Sequence, residues 1–277
     1  MSNLQELNVA QIANYLSDKS IHWSIRGLDK CASTNVEALG IVKKNPELMK
    51  TGVVLFTEWQ SDGRGRRGGN WESPRSRDLL FSIALCPELA QAHWSRLTHA
   101  TALGICKALK NNEFNPEIKW PNDIYIRNKK VAGILVESYP STTADTVSGT
   151  VIIGVGVNVN SVQEDLNPEF IVPGTSLRIE HKNNPLIREQ IAGSILFAIH
   201  NEIGHCKNDF QTILHEIEKL SVIHGNKIQV TLPNGNNLIG YASGFGEEGE
   251  LILETIPESG ESSEILKIAA AHEIRLQ

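Results

Sequence analysis

Residues 119–138 read KWPNDIYIRNKKVAGILVES, and the fold turns on this stretch. Two apolar, β-branched runs, DIYIR (123–127) and KVAGILVES (130–138), flank Asn128-Lys129, which predicts a tight hairpin. EIKW (117–120) before it and TVIIGVGVNV (150–159) after it add two more strands. Upstream, GVVLFTEW (52–59) and DLLFSIAL (78–85) read as buried strands, and IHWSIRG (21–27) as a short one. A helix is expected near 4–17, where Leu4, Leu7, Ile12, Tyr15 and Leu16 share a face. A second starts at 33–35 on the capping-box pattern Thr34-Asn-Val-Glu37 and runs to Lys44. Helical spacing also marks 93–110, the stretch after 185 with Ile187, Ile191, Ile195, Ile199 and Ile203, and 208–220. From about 221 the period becomes two: KIQVTLPNGNNLIGYA alternates about Pro233-Asn-Gly-Asn236, and ELILET and EILKIAA follow. The expected class is α+β. Residues 1–220 form a mixed, mainly antiparallel sheet with helices on one face, and 221–277 form a small β-barrel module.

Bulk properties narrow the function. The chain has 277 residues, a net charge of −6, 40% hydrophobic and 21% charged residues, as an ordinary soluble globular protein has. The negative charge argues against broad nucleic-acid binding. No apolar run approaches the roughly 18 residues of a membrane span. MSNLQELNVA lacks the basic and apolar regions of a secretory signal. Cys31, Cys86, Cys106 and Cys206 show no CxxC or Cys/His ligand spacing, so they read as small buried hydrophobes of a reducing cytosol. A cytoplasmic location is expected.

Residues 60–77, QSDGRGRRGGNWESPRSR, break the pattern. Gly63 to Gly68 fits G-x-G-x-x-G, but a dinucleotide fingerprint needs a helix there. Instead Gly69, Asn70, Trp71, Ser73 and Pro74 follow, then a strand. Arg64, Arg66 and Arg67 stand among glycines with no carboxylate in the run. Glycine lets backbone N–H groups approach an anion, and arginine pairs with phosphate or carboxylate oxygens. A solvated basic turn is the alternative. Further on, Lys119 and Asp123 bracket either a plain surface turn or one in which Asp123 pairs with Lys119 or holds Mg²⁺ by oxygen ligation. Gly133 sits mid-strand, and Gly154-Val-Gly-Val-Asn158 repeats the feature. Such glycines either ease strand packing or leave room for a flat or bicyclic ligand.

Taken together, these motifs resemble the biotin–protein ligase family. The matching residues are Ser33-Thr-Asn35, Gln60, Gly63-Arg-Gly-Arg-Arg-Gly68 with Trp71, Lys119-Trp-Pro-Asn-Asp123, Lys130-Val-Ala-Gly-Ile-Leu-Val-Glu137 and Gly154-x-Gly-x-Asn158. They occur in the family's order and cover about residues 30–160. The resemblance implies a biotin–lipoate ligase fold, like that of class II aminoacyl-tRNA synthetases, with an SH3-like C-terminal barrel. It implies an enzyme that makes biotinyl-5′-AMP from biotin and ATP with Mg²⁺. The biotin would then pass to a lysine of a biotin carboxyl carrier protein.

The same resemblance distributes roles. Ser33, Thr34, Asn35, Gln60 and Gly133 would contact the biotin ring system. Arg64, Gly65 and Arg66 would close over its carboxylate and the adenylate phosphate. Arg67 and Trp71 would belong to the nucleotide site, with Trp71 on the adenine side. Lys119 would meet the biotin carboxylate and α-phosphate, making Lys119, Arg66 and Arg64 the catalytic set. Asn122 and Asp123 would lie near ATP or its metal, and Asn158 by the base.

Where family members often carry a basic residue before the Trp, this chain has Gly69-Asn70, and its C-terminus reads His272-Glu-Ile-Arg-Leu-Gln277. Some members carry a winged helix-turn-helix domain ahead of the Ser-Thr-Asn motif. Only 32 residues precede Ser33 here, so no sequence-specific DNA binding or repression is expected. Either a monomer or a homodimer, without a membrane partner, fits the reading. A lipoate–protein ligase and a non-catalytic biotin sensor are the alternatives.

Overall fold

The structure is a computed structural model that describes residues 6–140, 149–167, 173–256 and 262–277. Its elements are α1 (Val9–Ser17), β1 (Ser24–Leu28), α2 (Thr34–Lys44), β2 (Val53–Thr57), β3 (Leu79–Leu85) and α3 (Arg96–Asn111). Then come β4 (Glu117–Lys119), β5 (Asp123–Ile126), β6 (Lys129–Pro140), β7 (Gly149–Val157), α4 (Leu177–Glu180), α5 (Arg188–His205) and α6 (Phe210–Leu220). The C-terminal strands are β8 (Lys227–Thr231), β9 (Asn237–Phe245), β10 (Leu251–Thr255), β11 (Ile265–Ile268) and β12 (Glu273–Leu276). Of the expected opening helix, Leu4 lies outside the described residues.

Seven strands pair in the order β1-β2-β3-β7-β6-β5-β4. Only β1 and β2 run parallel; every other pair is antiparallel. Strand alternation sends side chains to two covered faces. Val54, Phe56, Phe81, Ile83 and Ile153 join a core with residues of α1, α3, α5 and α6. Val53, Leu55, Ala84 and Ile152 pack instead against Ala38 and Val42 of α2. The expectation of helices on one face is therefore corrected: α2 crosses the other face, and its N-terminus reaches the site described below.

The β5–β6 hairpin turns on Arg127 (φ 51°) and Asn128 (φ 62°), one residue earlier than Asn128-Lys129. Both central residues have positive φ, as the favoured two-residue hairpin turns require. The second sheet has the order β11-β10-β9-β8-β12 and is antiparallel throughout. Its last strand, β12, went unread in the sequence. All four cysteines are free: Cys106 and Cys206 are buried, Cys31 partly so, and Cys86 is exposed, unlike the buried thiol expected of it. No helix among the described residues is long and apolar enough to cross a membrane.

The two sheets share a tryptophan. Trp120 follows β4, yet its side chain belongs to the core of the second sheet, with Ile223, Ile228, Val230 and Leu251. Its Nε1–H donates to the Gly249 carbonyl at 2.9 Å. Gly249 (φ 86°) rests on the buried His99 ring, where a Cβ would collide with the imidazole. Arg96 Nε donates to Glu248 Oε2 at 2.8 Å, and His93 Nδ1 lies 2.9 Å from the same oxygen.

Burial pulls the His99 imidazole down to about 4. A folded-state value below the ordinary 6.5 means that neutral His99 supports the fold above pH 6.5, and that this support is lost as pH falls toward 4. The loss amounts to about 3 kcal/mol at most, from a depression of 6.5 to about 4. Thermal melts should therefore fall more steeply with acid for the wild type than for His99→Gln. Parallel slopes would show that His99 is not the group responsible.

Candidate functional site

Gly133 of β6 pairs with Gly156 of β7, and Gly154 lies two residues along. Together they floor a narrow cleft of about 60 Å³ on the α2 side of the sheet. It is lined by Ser33, Thr34, Asn35, Gln60, Arg64, Gly65, Arg66, Trp71, Asn122 and Lys130 as well as the glycines. A Cβ on Gly156 would enter the Trp71 indole, one on Gly154 the Asn35 carboxamide, and one on Gly133 would stand 2.9 Å from Trp71 Cζ3. The glycines thus seat two side chains against the floor.

The start of α2 forms one wall. Ser33 is the N-cap but makes no side-chain cap bond, so the expected capping box does not form. Thr34 is otherwise engaged: its N–H and its hydroxyl donate to Gln60 Oε1 at 2.7 and 3.1 Å. With that oxygen turned to α2, the Gln60 NH₂ is left as a donor. Asn35 is spent on the protein: Nδ2 donates to Glu137 Oε2 at 2.7 Å, and Oδ1 lies 2.6 Å from the Ser82 hydroxyl. Ser82 is fully buried and also lies 2.7 Å from Thr34 Oγ1. Sequence reasoning missed Ser82, and it named Glu137 only as the end of a motif, without a role. The signal was a lone serine within the apolar strand LLFSIAL.

The arginine loop forms the opposite wall. It is a small flap closed by Trp71 N–H to Gly63 O at 2.9 Å and Gly65 N–H to Gly69 O at 2.6 Å. Arg67 (φ 56°) and Gly68 (φ 75°) take left-handed conformations at its tip. Arg66 Nη1 donates to Asn122 Oδ1 at 3.1 Å, and Asn122 Nδ2 donates to Ile134 O at 2.8 Å. Burial lowers the Arg66 guanidinium, Arg67 adds to that, and Asp123 opposes it. An arginine so placed remains charged. Arg64 is exposed and 3.8 Å from Asp62, and Arg67 is exposed. The Trp71 Nε1–H is buried without a partner, a donor left for an occupant.

Lys119 was expected at the site, and Lys130 was given no role of its own. Lys130 lines the cleft, with Nζ 2.7 Å from Asp123 Oδ1 and 5.5 Å from the Trp71 ring centroid. Lys119 does not line it. That side chain starts from edge strand β4, opposite Asp123. It lies 5.5 Å from the Tyr125 ring centroid, in a groove with Glu273 and Arg275. Burial lowers the Lys119 ammonium most, against the pull of Asp123 and Glu273. Asn158 also stands apart: its Nδ2 donates to Thr175 O at 2.9 Å, bracing the turn before α4.

The lining holds cations and neutral donors and no carboxylate. Such a set suits an anionic ligand. It does not suit a protein-held Mg²⁺, which needs carboxylate oxygens, and Asp123 already faces the Lys130 ammonium.

The model of the biotin/lipoate A/B protein ligase family matches residues 33–158. A biotin–[acetyl-CoA-carboxylase] ligase of Mycobacterium tuberculosis is 28% identical over 227 residues, 80% of each chain. The bifunctional ligase/repressor BirA of Bacillus subtilis is 30% identical over 230 residues, 82% of this chain and 68% of that one. Among solved structures, a biotin protein ligase from Aquifex aeolicus in complex with biotin and ATP matches with a TM-score of 0.72. Its identity is 24%, over 92% of this chain and 99% of that one, so it speaks for the fold.

Proposed function

Because the chain belongs to the biotin–protein ligase family of enzymes, we propose that its cleft joins biotin to ATP as biotinyl-5′-AMP and then passes biotin to a lysine of a biotin carboxyl carrier protein. The observation that carries this reading is the convergence of Arg66 and Lys130 on a glycine-floored slot free of carboxylates. In the first step a biotin carboxylate oxygen bonds to the α-phosphorus, the α–β bridging P–O bond breaks, and pyrophosphate leaves. Negative charge grows on the phosphate oxygens, and fixed cations in a water-poor site stabilise it. The reading gives that task to Arg66 and Lys130, with Arg64 and Gly65 in the covering flap. Holding the two substrates in line lowers the barrier further.

The Gln60 NH₂ and the Ser33 hydroxyl are the polar groups offered to the biotin ring, and Asn35 supports Gln60 through Ser82 and Thr34. Trp71 covers the slot, and Asn122 orients Arg66. In the second step the neutral lysine amine attacks the acyl carbon, the C–O bond of the anhydride breaks, AMP leaves, and the amine's proton passes to solvent. Any Mg²⁺ would be held by the phosphate oxygens of ATP and would neutralise part of their charge. The same reading takes 1–220 as a synthetase-like catalytic domain and 221–277 as an SH3-like barrel.

Incubation with biotin, MgATP and a carrier domain, followed by mass spectrometry, tests this. One biotin on the carrier and biotin-dependent ATP–pyrophosphate exchange are expected. Exchange with lipoate alone would point to the lipoate branch of the family, and tight biotin binding without exchange to a sensor.

A further inference from the structure

We propose that Ser73, held by the buried Asp78 carboxylate, is a positioning residue that seats Trp71 and so sets how long the adenylate is retained; the retention part rests on the function proposed above. Asp78 precedes β3 and is 4% exposed. Its Oδ1 accepts from the N–H groups of Val159, Asn160 and Ser161 at 2.8, 3.2 and 3.2 Å. Its Oδ2 accepts from the hydroxyls of Ser161 and Ser73, each at 2.6 Å. Four donors come from the chain just after β7, the strand that carries Gly154 and Gly156. The fifth comes from the arginine loop, two residues beyond Trp71. One carboxylate thus ties the exit of the cleft floor to the trailing foot of the flap.

The flap's other foot is stitched by backbone bonds, Ser61 N–H to Cys31 O at 3.0 Å and Asp62 N–H to Ala32 O at 2.9 Å. Those bonds hold without any side chain. The trailing foot has its nearest side-chain tether to Trp71 at Ser73. The indole has no hydrogen bond of its own to keep it over Gly133 and Gly156. Its position is therefore set by packing and by the backbone on either side. Removing the Ser73 hydroxyl frees that backbone on one side and leaves Asp78 with four donors.

Ser73 and Ser161 make a matched pair: each hydroxyl meets the same oxygen at 2.6 Å, and only Ser73 belongs to the flap. Wild type, Ser73→Ala, Ser161→Ala and Ser73→Thr are loaded with biotin and MgATP, desalted, and followed for release of biotinyl-AMP. Ser73→Ala should release it about tenfold faster, as expected when a bond to a carboxylate must be remade at each closure. Ser161→Ala should stay close to the wild type, and Ser73→Thr should restore retention. Hydrogen exchange of the flap backbone without ligands gives a second readout, faster in Ser73→Ala and unchanged in Ser161→Ala. Equal effects of the two alanines, or no effect of Ser73→Ala on either readout, overturn the proposal. A wild type that forms no adenylate while its flap exchange follows this pattern would sink the function proposed above and leave the seating role standing.

Discussion

Replacing Lys130 by methionine is expected to slow biotinyl-AMP formation about 10²- to 10³-fold, the usual loss when one fixed transition-state donor is removed. Methionine keeps the length of the chain and much of its packing but removes the charge. The Lys130 ammonium lies against Asp123 and the Trp71 ring, within the cleft lining. An interaction that strengthens as charge builds on the phosphate lowers kcat and kcat/KM together. Lys119→Met is the informative counterpart. Lys119 heads the KWPND run but lies by Tyr125 and Glu273 outside the lining. Its loss should cost far less. Single-turnover measurement of adenylate formation separates the two, and a larger loss in Lys119→Met would reverse the assignment.

Arg66→Gly is expected to release biotinyl-AMP into solution on the order of 10-fold to 100-fold faster, the consequence of losing a charged hydrogen bond and its tether. The bond from Arg66 to Asn122 is the flap tip's hydrogen-bonded link to the sheet among the described residues. Glycine removes that link and adds backbone freedom to a run already rich in glycine. Escaped adenylate acylates exposed amines at random, so promiscuous biotinylation of bystander proteins gives the readout. If biotin stays confined to the carrier and free adenylate does not rise, the flap does not hold the intermediate.

The central strands were legible because β-branched runs such as VVLF and VIIGV can be little else. The face taken by α2 was not. A helix's apolar stripe says that it packs, and the sheet's two apolar faces offered it a choice. β12 escaped because Glu273–Leu276 is a short alternation at the chain end that becomes a strand only by pairing with β8. In the site, the loops declared themselves through composition: arginine among glycine, and serine and threonine before a helix. Ser33, Thr34, Asn35, Gln60, Arg64, Gly65, Arg66, Trp71, Asn122 and Gly133 all meet at one cleft. The two lysines could not be ranked locally. Which of them reaches the slot depends on strand order and register, a non-local property, and β4 lies at the sheet's edge. Asn158 was placed by the nucleotide base on the family resemblance, and its carboxamide serves the backbone.

The indole of Trp120 has a further consequence. A cut placed at residue 220 would fall in a stretch of chain that looks like a seam, yet it would pull a hydrophobic plug from its socket and strand it in water. The first part of the chain carries part of the second sheet's interior inside its KWPND run, so the C-terminal strands are less an appendage than a lid screwed onto that plug. A pared-down enzyme built from this chain would have to keep both pieces, or give Trp120 a new home.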